Sequence, residues 1–154
     1  MSIATLISRP LGLLDRILDA LQSPVALGAR CWVGWQFLKS GWLKLSDWEG
    51  TLSLFQEEYR TPLLSPAAAA LAGTFGELFF PVLLIAGLFG RFAAVGLLAV
   101  NVMAVVAYAH VLLTPGFEAA VGQHYLWGAW LVMLAVYGPG RLSLDHWFGT
   151  GNSR

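Results

Sequence analysis

The chain has little charge for its length. Only 12% of its 154 residues are Asp, Glu, Lys or Arg, whereas 57% are hydrophobic. A soluble domain has roughly one quarter charged and one half apolar residues. Because a chain of this size cannot bury so much apolar surface in its own core, the composition predicts an integral membrane protein. The formal net charge of zero also lacks the basic excess of a nucleic-acid-binding protein, so we expect no nucleic-acid partner.

Cysteine is nearly absent, and the single residue Cys31 excludes two kinds of site. It cannot form an intrachain disulfide, and the chain alone cannot hold an iron–sulfur cluster on cysteine ligands. We interpret Cys31 as a small apolar filler of a membrane helix. The sequence also has no Walker, dinucleotide-binding or Ser-His-Asp pattern. We therefore expect no cofactor built by this chain alone, and the residues leave open whether it is an enzyme.

Long apolar runs, in contrast, are plentiful. Four of them cover about residues 25–45, 67–89, 92–113 and 121–137. Each is close to the roughly 20 residues that a helix needs to cross about 30 Å of hydrocarbon. Only helices satisfy their backbone locally in lipid. The pattern predicts an all-α fold, a membrane-embedded four-helix bundle over residues 24–148, followed by a polar tail at 149–154.

Two further helices are predicted outside the membrane. Residues 1–23 form the first, with apolar residues at helical spacing and Ser8 as a candidate N-cap. This N-terminal amphipathic helix lies either on the membrane surface or against the bundle, and the sequence favours neither. The second is a short amphipathic helix in the first outer loop, with Asp47 as its cap and Trp48, Leu52 and Phe55 on its apolar side. Because of these apolar residues, we expect it to cover the outer mouth of the bundle.

The distribution of positive charge predicts the orientation. An even number of crossings places both termini on one side, together with most of the arginines: Arg9, Arg16, Arg30, Arg91, Arg141 and Arg154. The other side holds the acidic loop of residues 46–66. Since Lys and Arg are enriched in cytoplasmic segments, both termini are predicted to be cytoplasmic.

Glu77, near the middle of the second apolar run, is the most informative polar residue. A charged side chain at that depth costs roughly 2.5 kcal/mol or more, so it needs a partner or a proton. Arg30 and Lys39 on the first run are predicted about 7 Å to either side of it along the membrane normal. We therefore predict a buried cluster in which Glu77 pairs with Arg30 or Lys39. It is either a site for a polar head group or a proton, or an ion pair that fixes helix packing.

Three more residues join this predicted cluster as candidates. Asn101 and Tyr108 share one face of the third helix, and Asn101 lies at a depth similar to that of Glu77. Asn101 by itself is more typical of interhelical hydrogen bonding. Lys44 shares a small-residue face of the first helix with Gly34 and Gly41. We expect this face to be buried, because small residues allow a neighbouring backbone to approach.

His110 and His124 are weaker candidates, near the outer ends of the third and fourth helices. With Glu118 between them they suggest a metal site or a proton relay. However, their spacing matches no ligand motif, and His110 points away from Asn101 on its helix. The preferred interpretation is two interfacial histidines, with no metal site.

Four segments carry a resemblance to a known family. Arg30 and Gly34 through Gly41 and Lys44 are similar to its first helix, and FQEEYRTPLLSP to a loop of one subgroup. GELFFPVLLIAGLFGRFAA, which includes Glu77, is similar to its second helix and tight turn, and GPGRLSLDH to its closing motif. From about residue 30 to residue 148 the chain thus resembles the DoxX family of small four-helix bacterial and archaeal membrane proteins.

The resemblance implies more than the residues do. It implies a multi-pass protein of the bacterial inner membrane, in a family associated with a quinol oxidase system, thiosulfate:quinone oxidoreduction and stress responses. The expected function is a subunit or accessory of a quinone-linked or stress-related redox system, with no redox centre of its own. Arg30, Lys44 and Glu77 match family positions and Asp145 matches the closing motif, whereas Lys39 matches no typical family residue.

The expected ligand is a quinone or a lipid. The expected partners are membrane lipid and other membrane or periplasmic proteins or further copies of the chain. The alternative function is a non-catalytic assembly or partner-binding module whose buried charges are structural.

Overall fold

Helices account for the regular structure of this chain. The computed structural model describes the backbone of residues 3–149 and the side chains of residues 12–149. Seven helices and no strand occur in that range: α1 (Ile3–Ser46), α2 (Trp48–Glu57), α3 (Pro66–Ala86), α4 (Gly90–Ala107), α5 (Ala109–Leu112), α6 (Glu118–Tyr137) and α7 (Leu144–Trp147). The predicted all-α fold is confirmed. Apart from Gly149, the predicted polar tail lies outside the described residues.

Within residues 3–149, three helices are long and apolar enough to cross a membrane. They are α3, α4 and α6, with 21, 18 and 20 residues. At 1.5 Å per residue even the shortest is about 27 Å long, close to the thickness of the hydrocarbon core. The chain is therefore a multi-pass membrane protein with an all-α helical bundle. The predicted first crossing lies within α1 and is not among the three, because polar residues including Arg30, Lys39 and Lys44 lower its hydropathy.

Close contact between α1 and α3 depends on two glycines of α1. A Cβ added at Gly34 would lie 2.7 Å from the side chain of Ile85, and one at Gly41 would lie 2.9 Å from the Cβ of Glu77. Because residue numbers rise along α1 as they fall along α3, the two helices are antiparallel. The predicted buried small-residue face of the first helix is thus confirmed.

The other long helices follow the same antiparallel order. Residues 87–89 form a tight turn between α3 and α4, in which Gly87 adopts a φ of +67°. The helix α4 packs in turn on α6, and α6 also contacts α1. The central core is formed by apolar residues from all four long helices: Val33, Phe37, Leu84, Ala94, Leu97, Leu131 and Leu134. The helices on either side of the tight turn, α3 and α4, are therefore antiparallel neighbours.

Residues 3–23 belong to a longer helix and do not form a separate one. The helix α1 begins at Ile3 and continues to Ser46, so Ser8 is not its cap. The segment joins the next one without a break, although Pro24 lacks an amide hydrogen. At this point the hydroxyl of Ser23 accepts a hydrogen bond from the backbone N–H of Arg141 at 3.0 Å. This bond joins α1 to the segment that follows α6. Residues 12–22 are exposed on all sides, so the described part does not pack on the bundle.

The short helix α2 covers one end of the bundle, as predicted. Asp47 caps it by accepting a hydrogen bond from the N–H of Gly50 at 3.0 Å. Its buried residue Phe55 packs against Ala69 and Ala70 of α3. We call this end, which contains α2 and α5, the loop end. The opposite end, which contains the α3–α4 turn and residues 138–148, is the closing end.

Candidate functional site

The partner of Glu77 is Lys44. The Lys44 Nζ and Glu77 Oε1 atoms are 2.5 Å apart, with 16% of the lysine side chain and 6% of the glutamate side chain exposed. The predicted pairing of Glu77 with Arg30 or Lys39 is therefore wrong. The reason is the direction in which each side chain points: Lys44 follows Gly41 by one turn on the face that packs against α3, so its ammonium reaches the carboxylate.

Several hydrogen-bond acceptors around this pair lack a donor. Glu77 Oε2 is buried and has no hydrogen-bond partner among the described residues, and neither does the hydroxyl oxygen of Thr74 one turn away. In addition, Pro81 lies inside α3 and has no N–H, so the carbonyl of Glu77 four residues earlier lacks its usual helical donor. Buried polar atoms are normally paired, so unpaired ones indicate that a water or a ligand supplies the missing donor.

Aromatic residues close the loop end above the ion pair. The Tyr59 ring packs edge-on against Phe55 at 4.7 Å and against Tyr108 at 5.1 Å between centroids. The Tyr108 hydroxyl donates to Glu58 Oε2 at 3.1 Å. Tyr108 therefore belongs to this aromatic cover and not to the immediate surroundings of Glu77. Tyr59 and Glu58 were not predicted as site residues, although both lie in the FQEEYR segment.

The acidity of Tyr59 depends on its burial and on the charge of Glu77. Burial raises the pKa of Tyr59 above its ordinary value, and the negative charge of Glu77 raises it further. The pKa of Tyr108 is also raised, mainly because its hydroxyl is held by the Glu58 carboxylate.

Arg30 lies at the closing end, away from Glu77. It is fully buried, and its Nη1 donates to the carbonyls of Leu84 at 3.4 Å and Ile85 at 3.2 Å, while Nη2 donates to the carbonyl of Leu142. The last carbonyls of a helix have no N–H donor within that helix, and they attract a cation. About 21 Å of helix separates Arg30 from Lys44. Arg30 thus joins the end of α3 to residues 138–148, which we call the closing segment.

Asp145 completes the same end of the bundle. Its Oδ1 and Oδ2 accept hydrogen bonds from the N–H groups of Phe89 and Gly90, each at 2.8 Å, and so cap α4. The backbone N–H of Asp145 donates to the carbonyl of Gly87 at 2.9 Å. The sequence singled out Asp145 only through the family resemblance and missed this cap, because it joins residues 55 positions apart. Ser143 caps α7 by accepting a hydrogen bond from the N–H of His146.

Asn101 pairs with His124 and not with the Glu77 cluster. Its Nδ2 donates to the backbone carbonyl of His124 at 3.0 Å, and its Oδ1 lies 2.8 Å from His124 Nδ1. The His124 ring packs on Trp127, which in turn contacts Phe37 of α1. This double contact links α4 to α6, as an interhelical amide commonly does.

Two of the remaining candidates, Lys39 and Cys31, are exposed on α1, so the thiol does not pack inside the bundle. His110 is exposed and packs edge-on against Tyr108, whereas His124 is held by Asn101. Within residues 3–149, no three His, Cys, Asp or Glu residues lie together in a way that could hold a metal ion.

Comparison with known families agrees with this architecture. The DoxX family model matches residues 25–110, which include α2, α3, α4 and the second half of α1. The match contains Lys44 and Glu77 but ends before α6 and the closing segment, so the resemblance of GPGRLSLDH stays a prediction. No curated protein and no solved structure matches the chain. As the family model covers more than half of its 154 residues, the chain belongs to the DoxX family.

Proposed function

We propose that this protein is a subunit or accessory of a quinone-linked or stress-related membrane redox system. In this proposal the Lys44–Glu77 pair is its site for a polar head group. The supporting observation is Glu77 Oε2, a buried carboxylate oxygen without a hydrogen-bond donor. Leaving such an atom unpaired costs about 1–3 kcal/mol or more, which a bound donor would recover.

The charges and the unpaired atoms together limit the ligand. Lys44 already neutralises Glu77, so a further full charge would add a desolvation cost without an opposite charge. The unsatisfied atoms are acceptors, and the Thr74 hydroxyl can also donate. A neutral, hydroxyl-bearing head group such as a hydroquinone ring or a lipid glycerol therefore fits best. The carboxylate of Glu77 is also the natural acceptor for a proton arriving at this depth.

The redox part of the proposal rests on family membership and not on a redox centre of this chain. Cys31 is the single cysteine, and the described residues contain no group of metal ligands. The electron-transferring centre would then belong to another membrane or periplasmic protein. The head group of the ligand would lie beneath α2. The exposed acidic residues Glu49 and Glu57 of α2 offer a surface for that partner.

The proposed topology is a four-helix bundle in the bacterial inner membrane. Residues 25–45 of α1 add one crossing to those of α3, α4 and α6, because they run antiparallel to α3 and bury Arg30 and Gly41 against it. The distribution of arginines supports cytoplasmic termini, and the first half of α1, which is continuous with this crossing, would extend from the membrane on that side. The loop end then faces the periplasm.

One observation favours a different function. Gly41 packs directly against Glu77, which leaves little room on that side of the carboxylate. If the pair only fixes α1 on α3, the protein would be a non-catalytic assembly or partner-binding module. In that case the partner would contact the loop end or the exposed first half of α1.

Native mass spectrometry of the protein in lipid nanodiscs tests the proposal. We expect the wild-type protein to retain a quinol or lipid that the Glu77→Gln variant loses while its helical content persists. Glu118→Gln is the matched control, because Glu118 is exposed at the same end and lies outside the aromatic cover. Retention of the same quinol or neutral lipid by all three proteins, or copurifying subunits with neither molecule, would contradict the head-group site.

A further inference from the structure

A groove runs along the outer surface of the α1–α3 pair, away from the Lys44–Glu77 pair. Its volume is about 1000 Å³. Apolar side chains form most of its wall, chiefly Trp35 and Trp42 of α1 and Leu78 and Val82 of α3. Lys39 is the charged residue in this wall. The groove therefore combines a long apolar surface with one cation.

The ammonium group of Lys39 has no hydrogen-bond or ion-pair partner in the described part of the chain, and its side chain is exposed. The other two cations of this half of α1 have partners: Lys44 pairs with Glu77, and both terminal nitrogens of Arg30 donate to backbone carbonyls. An unpaired cation facing lipid is costly, so it either extends to the interface or meets an anion. Charge complementarity thus calls for an anionic group in the groove.

The position of Lys39 along α1 determines which part of a lipid it meets. It precedes Asp47, at the loop end, by eight residues, which correspond to about 12 Å of helix. The four-carbon stem can extend the ammonium further towards that end. Trp42 and Ser46 line the groove on this side of Lys39, and Trp35 lines it on the deeper side. The ammonium thus approaches the head-group level, while the deeper part of the groove stays apolar.

We propose that this groove binds an anionic phospholipid from the leaflet at the loop end. The lipid phosphate pairs with the Lys39 ammonium, and one acyl chain lies along Trp35 and Val82 towards the closing end. Trp42 packs beside the glycerol region, because an indole ring suits the boundary between apolar and polar layers. Ser46 already donates its hydroxyl hydrogen to the carbonyl of Trp42 at 2.8 Å, so the ammonium is the donor available to the phosphate. This site is independent of the one proposed at Glu77.

Brominated lipids provide the test, since bromine quenches tryptophan fluorescence at short range. The full chain is placed in nanodiscs of phosphatidylcholine containing phosphatidylglycerol, with bromine on the chains of one lipid or the other. At equal mole fraction we expect phosphatidylglycerol to occupy the groove about fivefold more often than phosphatidylcholine, and its brominated form therefore to quench more. One lysine near the membrane surface favours an anionic lipid by about this factor. In a Trp35→Phe variant this headgroup-dependent quenching should fall, because the reporter in the groove is lost.

Lys39→Gln should reduce the preference to about one, with unchanged helical content because Lys39 is exposed. Arg60→Gln is the matched control, since Arg60 is an exposed cation at the same end that does not line the groove. It should keep the preference. Equal quenching by both lipids in the wild type, an equal loss in both variants, or a preference that survives Lys39→Gln would overturn the proposal. So would two chains per nanodisc with the groove protected from both lipids, because a second copy would then be the occupant.

Discussion

Replacing Lys44 by Met should destabilise the protein by about 3–5 kcal/mol, because it leaves Glu77 buried without its cation. At 2.5 Å, unit charges attract each other by roughly 7 kcal/mol at an effective dielectric constant of about 20. Much of that attraction only offsets the cost of removing both groups from water, so the pair itself contributes little net stability. Removing one partner is different, because the desolvation cost of the other remains.

Reversible unfolding in mixed micelles, followed by tryptophan fluorescence and circular dichroism, measures this loss. Lys39→Met is the matched control: it removes the same charge from the same helix, but at an exposed position, and should change stability by no more than about 0.5 kcal/mol. In the double variant Lys44→Met/Glu77→Leu, most of the loss should be recovered, since no buried charge is left. Equal effects of Lys44→Met and Lys39→Met would refute the assignment of Lys44 as the partner of Glu77.

Two further predictions concern the surroundings of Glu77. Gly41→Ala should cost about 1–3 kcal/mol by forcing α1 away from Glu77, whereas Gly28→Ala, which meets nothing within 4 Å, should be neutral or stabilising in the same unfolding assay. In ultraviolet titration, tyrosinate should form at Tyr59 above its usual pKa of roughly 10, and Glu77→Gln should lower that pKa by removing the nearby charge. Because the folded-state pKa is raised, the contribution of Tyr59 to stability is complete below pH of about 10 and is lost as the pH rises through the folded-state value. A titration unaffected by Glu77→Gln would place the carboxylate elsewhere.

Features that depend on neighbouring residues could be predicted from the sequence. Hydropathy located α3, α4 and α6, because crossing the hydrocarbon requires a continuous apolar helix. The cap Asp47 followed from its position just before a helix, since it accepts a hydrogen bond from an N–H three residues later. The glycine face of α1 was also evident, because residues three or four positions apart share one side of a helix.

The partner of Glu77 could not be predicted by depth alone. Arg30 and Lys39 were each placed about 7 Å from it, so distance along the membrane normal did not separate them. The rotation of α1 about its axis decides the outcome, since it directs Lys44 towards α3 and Lys39 towards lipid. Arg30 found other acceptors, the final carbonyls of α3, whose location depends on where that helix ends.

The contacts of Asn101 and Asp145 required the tertiary fold. Asn101 reaches His124 only because α4 and α6 are antiparallel in one particular register. Asp145 reaches the start of α4 only because residues 138–145 fold back across the closing end. The unbroken course of α1 was missed for a related reason, since Ser23 is held by the distant backbone of Arg141.

The most direct test of the central claim is the carboxyl carbon resonance of Glu77 in isotope-labelled protein in nanodiscs. The resonance is assigned by its loss in Glu77→Gln. Adding a short-chain hydroquinone should shift it, because the ring hydroxyl would donate to Oε2, and should leave the exposed Glu58 unchanged. A Glu77 resonance that does not move with hydroquinone or with the lipid extracted from the wild-type protein would contradict a head-group site at the Lys44–Glu77 pair.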